Sequence, residues 1–258
     1  MSLKRRLLPA AALLASLTVP FVAFGTLPAQ AADDQITSYV AEATLTGDGI
    51  LKVKETVELT AGGDTFRRTL ATRVRSDAEE DRTYAISNIS ATVNGQPAEN
   101  FENKAIDNGR ELSLKASGQA KIVYSYDVDN VVADSTEGRE VSWPIVQGYS
   151  ASIPKAAVTV NVPFATWVTC FAGRVGSSMP CTTSQLAESA ALEIEQNGIP
   201  DGGRLTFLAG LSDQATVQPN AEFTTRWSLG RAFTVDSTTL GLSVLLLEIG
   251  RASCRERV

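Results

Sequence analysis

Apolar and polar residues alternate with a period of two through most of the chain. Tyr39, Ala41, Ala43 and Leu45 fall on one side of an extended strand, with Glu42, Thr44 and Thr46 on the other, and Gly47-Asp48-Gly49 follows as a turn. Leu51, Val53, Val57 and Leu59 continue the apolar side, opposite Lys52, Lys54, Thr56 and Glu58. Glu55 shares the apolar side, so the alternation that buries its neighbours buries its carboxylate. Phe66 and Leu70 define the inward side of the next strand, with Arg68 between them. If Thr60 to Gly63 is the turn, Leu59 pairs with Asp64 and Glu55 falls opposite Arg68, where cross-strand neighbours come within about 5.5 Å. A buried charge is costly alone, so the pair is expected to be a structural ion pair, Glu55 with Arg68, that fixes the register of this hairpin. The other reading makes Glu55 a site acting on a ligand.

Further strands are predicted at Ile89 to Val93, at Leu112 and Leu114, at Ile122 to Val128, at Val141 to Ile145, at Ala156 to Val162, at Thr166 to Cys170, and at Leu205 and Phe207. Asn94-Gly95 and Asn108-Gly109 mark tight hairpin turns, because both residue types tolerate positive φ. Pro144 is expected to push its strand to a sheet edge. Only Ser184 to Leu192 hints at a short helix. Many short strands at hairpin spacing imply an all-β fold, an antiparallel β-sandwich, as one domain or as two small sandwiches joined near Ala133 to Arg139.

The two ends of the 258-residue chain read differently. Lys4, Arg5 and Arg6 precede an apolar run from Leu7 to Phe24 and the small-residue site Ala29-Gln30-Ala31, the pattern of a secretory signal peptide over 1–31. An uncleaved anchor helix is the alternative, which Pro20 and the Ala-x-Ala site disfavour. The exported domain then spans 32–236. Leu240 to Leu247 is uncharged and apolar and follows a completed exported domain, so 237–247 is read as the start of a transmembrane helix, although a buried strand could look the same. Residues 248–258 back-translate to DNA resembling a short-read sequencing adapter and are set aside from fold reasoning.

Charge and chemistry narrow the function classes. Without the three cations of the leader and the three cations and two anions of the tail, 17 Lys and Arg face 27 Asp and Glu, a net charge of −10. Such a domain is not expected to bind nucleic acid or anionic lipid by overall electrostatics. The chain has no histidine, which removes the commonest general base and metal ligand. With Cys254 in the tail, Cys170 and Cys181 remain, and in an oxidising compartment they are expected to form a disulfide worth ~3 kcal/mol by loop entropy. Two unpaired thiols are the alternative.

Several segments together resemble the N-terminal domain of the predicted bacterial membrane proteins grouped as domain-of-unknown-function family 2207. They are Asp48-Gly49 with Val53-Lys54-Glu55-Thr56-Val57, Phe66-Arg67-Arg68-Thr69-Leu70 with Arg73, and Tyr84-Ala85-Ile86-Ser87-Asn88-Ile89-Ser90. Tyr124-Ser125-Tyr126-Asp127-Val128, Glu140-Val141-Ser142-Trp143, Ile153-Pro154, Val158-Thr159-Val160 and Pro163 follow in order. The resemblance covers roughly residues 36 to 210 and implies a signal peptide, an exported domain and membrane segments. Where relatives carry Gly-Thr-His before the Tyr-x-Tyr strand, this chain has Gln119-Ala120-Lys121. The family brings no established catalytic residues.

Four local features invite chemical readings. Ser152-Ile153-Pro154-Lys155 spells the Ser-x-x-Lys of penicillin-binding proteins, but a strand follows where that motif needs a helix. Gly173-Arg174-Val175-Gly176-Ser177-Ser178 resembles a phosphate-cradling loop without its lysine and helix, so a disulfide-closed surface loop accounts for it better. Asp127, Asp129 and Asn130 lack the remaining ligands of a calcium site, and Trp143 is expected in the core or at an edge. No catalytic, metal or cofactor residue is assigned, and no cofactor is expected. Two functions stay open. One is a noncatalytic binding, scaffold or sensing domain of the cell envelope, with an unknown protein or envelope component and its own membrane anchor as partners. The other is a carboxylate-dependent envelope hydrolase, since paired Asp or Glu can act without histidine.

Overall fold

The computed structural model describes residues 33–136, 138–187 and 191–226. The signal peptide (1–31), the anchor start (237–247) and the adapter-like tail (248–258) lie outside the described residues. Among the described residues no helix is long and apolar enough to cross a membrane.

The described chain is all strand. In order it forms β1 (Gln35–Leu45), β2 (Leu51–Ala61), β3 (Thr65–Ala71), β4 (Arg73–Arg75), β5 (Glu80–Thr83) and β6 (Ala85–Val93). Then come β7 (Gln96–Pro97), β8 (Glu102–Ile106), β9 (Gly109–Lys115), β10 (Gly118–Asp129), β11 (Val132–Ser135) and β12 (Gly138–Val146). The last are β13 (Ile153–Asn161), β14 (Ala165–Gly173), β15 (Thr183–Leu186), β16 (Ala191–Ile199), β17 (Arg204–Leu211) and β18 (Glu222–Thr225).

One eight-stranded sheet, in the order β15-β16-β13-β1-β2-β10-β6-β7, forms a full layer. Against it lie the sheets β3-β9-β8 and β11-β12-β17-β14, and a small sheet β18-β5-β4 completes the set. Contacts between layers define the sandwich: Tyr39 Oη donates to the Ile145 carbonyl at 2.8 Å, and Tyr126 meets Trp143 edge-on with ring centroids 6.3 Å apart. Every strand pair is antiparallel except β1 with β13, which run parallel. Parallel neighbours need a long crossover, and here eleven strands intervene between them.

Alternation is what buries the core. In β2 the residues Leu51, Val53, Val57 and Leu59 are buried while Lys52, Lys54 and Glu58 are exposed. Ala120, Ile122, Tyr124, Tyr126 and Val128 do the same in β10. One hydrophobic cluster joins residues from Ile36 to Val217, and the stretch proposed as a junction between two sandwiches falls in the β11–β12 hairpin. Each fully buried Leu or Val contributes about 1.5–3 kcal/mol by transfer.

Three expectations are corrected. β2 and β3 are not a paired hairpin: β2 lies between β1 and β10, and β3 pairs with β9 in the facing layer. Both edges of β2 are already hydrogen-bonded, so the chain turns at Ala61 to Asp64 and crosses the core. The segment at Ser184 is strand, with Leu186 opposite Leu192, because pairing with β16 outweighs local helix propensity. Pro144 lies within a sheet rather than on an edge strand, at a bulge against β17, and β11 ends opposite Val141, so no strand of its sheet flanks it on that side.

Candidate functional site

The largest polar feature of the core joins the two layers. Glu55 sits in β2 between Ala41 and Tyr124, and Arg68 sits in β3 opposite Leu112. Both point inward from facing sheets, so they meet across the sandwich rather than along one sheet. Arg68 Nη1 donates to Glu55 Oε2 at 2.5 Å and Nη2 to Oε1 at 3.3 Å, with both side chains fully buried. Tyr126 Oη donates to Glu55 Oε1, and Tyr149 Oη donates to Oε2 at 2.8 Å. Four donors fill the roughly four acceptor positions of a carboxylate.

Tyr149 is placed by its neighbours. Thr69 N donates to the Gly148 carbonyl at 3.0 Å, Ala71 N donates to Gln147 Oε1 at 3.0 Å, and Tyr149 bridges Arg68 at the backbone. Gly148 has φ +70°, and a side chain there would overlap the Thr69 carbonyl, so only glycine lets this segment lie against β3. Arg68 Nη1 also donates to Tyr149 Oη, and its guanidinium stacks 4.4 Å from the Tyr149 ring centroid and 5.0 Å from that of Tyr124.

Electrostatics follow from burial. Burial, and next the Glu55 carboxylate, push the hydroxyls of Tyr39 and Tyr126 well above the ordinary tyrosine range. For Tyr149 burial also raises the value, with Arg68 opposing and Glu55 adding. Burial alone would disfavour the Arg68 charge, but Glu55 and the adjacent tyrosines outweigh it and hold the guanidinium firmly protonated. The arrangement neutralises itself and leaves no free oxygen on Glu55 for another molecule. Its tyrosines were not expected from the sequence. Tyr126 was legible only as one of the alternating apolar positions of its strand, whereas Tyr149 lies in an irregular stretch with no periodic signal.

A second feature lies at the surface. A cleft of about 650 Å³ is lined by Arg73, Arg75, Arg82, Arg174 and Arg204, and among the described residues no Asp or Glu lines it. None of the five forms an ion pair with a carboxylate among the described residues. Arg82 is buried, donates from Nη1 to Ser142 Oγ at 2.6 Å, and holds the Asn130 carbonyl through Nε and Nη2 at 3.3 and 3.2 Å. Arg204 Nε is buried without a hydrogen-bond partner among the described residues, and burial lowers the pKa of this guanidinium.

One wall of this cleft is the loop Arg174 to Ser178. Cys170 and Cys181 are disulfide-bonded with Cα atoms 5.4 Å apart, which closes the loop at its base. Cys181 N donates to the Cys170 carbonyl at 3.0 Å, Ala172 N to the Met179 carbonyl at 2.9 Å, and Ser177 Oγ to the Ala172 carbonyl at 2.9 Å. The loop is therefore braced from both ends.

The remaining features singled out in the sequence are otherwise engaged. Asp127 accepts from Asn88 Nδ2 at 2.8 Å and pairs with Lys52 at 3.4 Å, and Asp129 accepts from Asn220 Nδ2 at 2.6 Å. Lys155 pairs with Glu195 at 3.0 Å on the outer face of β13. Trp143 is wholly buried, 4.9 Å from the Tyr84 ring.

No curated protein matches the chain. Among solved structures, similarity is to an M1 zinc metallopeptidase from Deinococcus radiodurans at 14% identity, over 68% of this chain and 42% of that one, with a TM-score of 0.36. A putative protease from Parabacteroides distasonis gives 12% identity over 69% and 41%, with a TM-score of 0.38. The chain spans about two fifths of the length of these proteins, and likeness at this level carries no argument about fold or activity. The family comparison is of a different kind. A single family model runs from residue 35 to residue 239, through both the Glu55 cluster and the arginine cleft, and by this match the chain belongs to the family described as "Predicted membrane protein (DUF2207) N-terminal domain".

Proposed function

We propose that this is an extracytoplasmic domain, held at the membrane of the bacterial cell envelope, that binds an envelope component without transforming it. In this reading the Glu55–Arg68 pair is a structural clamp between the layers, and the arginine cleft is the binding surface. The observation that carries the proposal is the cleft: five arginines without a carboxylate partner among the described residues, beside a disulfide-braced loop. Such a surface offers recognition by charge and planar hydrogen bonding. The saturated bonding of Glu55 supports a clamp over a catalytic carboxylate. The signal-like leader and the apolar stretch at Leu240 support the location.

The test is thermal unfolding of the purified full chain with an extract of bacterial envelope. The expected result is a raised Tm that returns to its starting value on dialysis, with the extract unchanged by mass spectrometry. Chemical change in the extract favours the hydrolase reading, and an unmoved Tm refutes the binding reading.

A further inference from the structure

The cleft is chemically narrower than a general binding surface. Arg82 is buried and Arg204 half-buried at the floor, while Arg73, Arg75 and Arg174 are exposed at the rim. Like charges gathered this way repel one another, and the Arg204 Nε group has lost water without gaining a partner among the described residues. An anion seated between floor and rim relieves both costs. The exported domain carries a net charge of −10 even with these five arginines counted, which disfavours any long polyanion that would run out of the cleft across the acidic surface. A short ligand with concentrated negative charge fits both conditions.

From this we infer that the cleft binds a diphosphate group, or two neighbouring phosphates, of a small envelope molecule. The inference rests on the binding reading above. Guanidinium groups hold phosphate oxygens bidentately, and Arg73, Arg75, Arg174 and Arg204, above an Arg82 already bonded to Ser142 and Asn130, match two phosphates better than one. The loop Gly173 to Ser178 adds a preformed wall. Gly173 and Gly176 take φ of +127° and +85°, and Ser177 N donates to the Arg174 carbonyl at 2.9 Å, so the loop keeps its shape and a ligand need not order it. The exposed Ser178 hydroxyl of the same wall supplies a further donor. The loop thus takes part in phosphate recognition as the carrier of Arg174, and not through the helix N-terminus of a nucleotide-binding loop.

Isothermal calorimetry of the full chain with inorganic pyrophosphate at low salt tests this. The expected result is saturable binding that weakens as salt is raised. Arg174→Gln, at the exposed rim, should weaken it by about tenfold or more, and so should Arg204→Gln at the floor. Lys155→Gln removes the same charge from an exposed position on β13 that does not line the cleft and should leave it unchanged. Sedimentation with phosphatidylcholine vesicles containing phosphatidic acid then distinguishes the sources. Vesicle binding displaced by pyrophosphate assigns the phosphates to a lipid headgroup, and pyrophosphate binding alone assigns them to a soluble ligand. No binding of pyrophosphate, or equal losses in Lys155→Gln and Arg174→Gln, overturns the inference. Should envelope extract still raise the Tm in that case, the binding reading survives and only its diphosphate form fails.

Discussion

Removing either member of the Glu55–Arg68 pair should cost far more than a surface charge. In Arg68→Ala the buried Glu55 keeps two tyrosine donors, Tyr126 and Tyr149, but loses both guanidinium bonds. In Glu55→Ala the guanidinium keeps only Tyr149 Oη and, at 3.4 Å, the Gln147 carbonyl. An uncompensated buried charge costs about 3–5 kcal/mol, so each single variant should lose about 3 kcal/mol or more. Glu55→Ala also strips Tyr126 of its acceptor, and an orphaned buried hydroxyl adds about 1–3 kcal/mol, so it should be the worse of the two. The double variant buries no unpaired charge. Its loss should fall short of the sum of the singles by at least about 2 kcal/mol. Urea unfolding reads these values through fluorescence of Trp143, packed between Tyr84 and Tyr126. A domain of this size has about 5–15 kcal/mol in total, so Glu55→Gln, which keeps the shape and one acceptor, serves if Glu55→Ala does not fold. Losses that add within about 0.5 kcal/mol would refute the clamp.

Three further outcomes follow from the same geometry. All five tyrosines have raised pKa values, each with burial as the first cause. The unfolded chain therefore releases their protons first, so the stability is intact below about pH 10 and falls above it by up to about 1.4 kcal/mol per pH unit for each tyrosine still protonated when folded. Absorbance at tyrosinate wavelengths should stay flat through pH 10 and rise only with loss of circular dichroism, and gradual titration of the folded protein would contradict this. Gly148→Ala should lower stability and loosen Tyr149, measured by urea unfolding and by Tyr149 ring signals in NMR; an unchanged midpoint would count against the close approach to Thr69. Reducing Cys170–Cys181 should cost ~3 kcal/mol by loop entropy and weaken ligand binding at the cleft, read by thermal unfolding and calorimetry with and without reductant. Equal affinity in both states would separate the loop from the site.

Alternation made the inward-facing residues legible before their partners were known. Glu55 and Arg68 could be assigned to the core because side-chain period in a strand is local. The sheet each strand joins is decided by distant chain, and β2 takes β1 and β10 as neighbours where local spacing favoured β3. The two charges meet because both faces are inward, whichever sheet carries them. Tyr149 was illegible since its position depends on Gly148 lying against Thr69, far away in sequence. The cleft was illegible for the same reason. Its arginines come from β4, β5, β17 and the disulfide-closed loop, and the exported domain's net charge of −10 conceals a local excess of cations.

Location is the part of the account on which its function depends, and it can be measured directly. The gene expressed with its leader should yield a protein that fractionates with membranes, begins at Ala32, and is cut by protease added outside cells stripped of any outer barrier. A soluble cytoplasmic product that retains Met1 and resists that protease would contradict an extracytoplasmic binding domain.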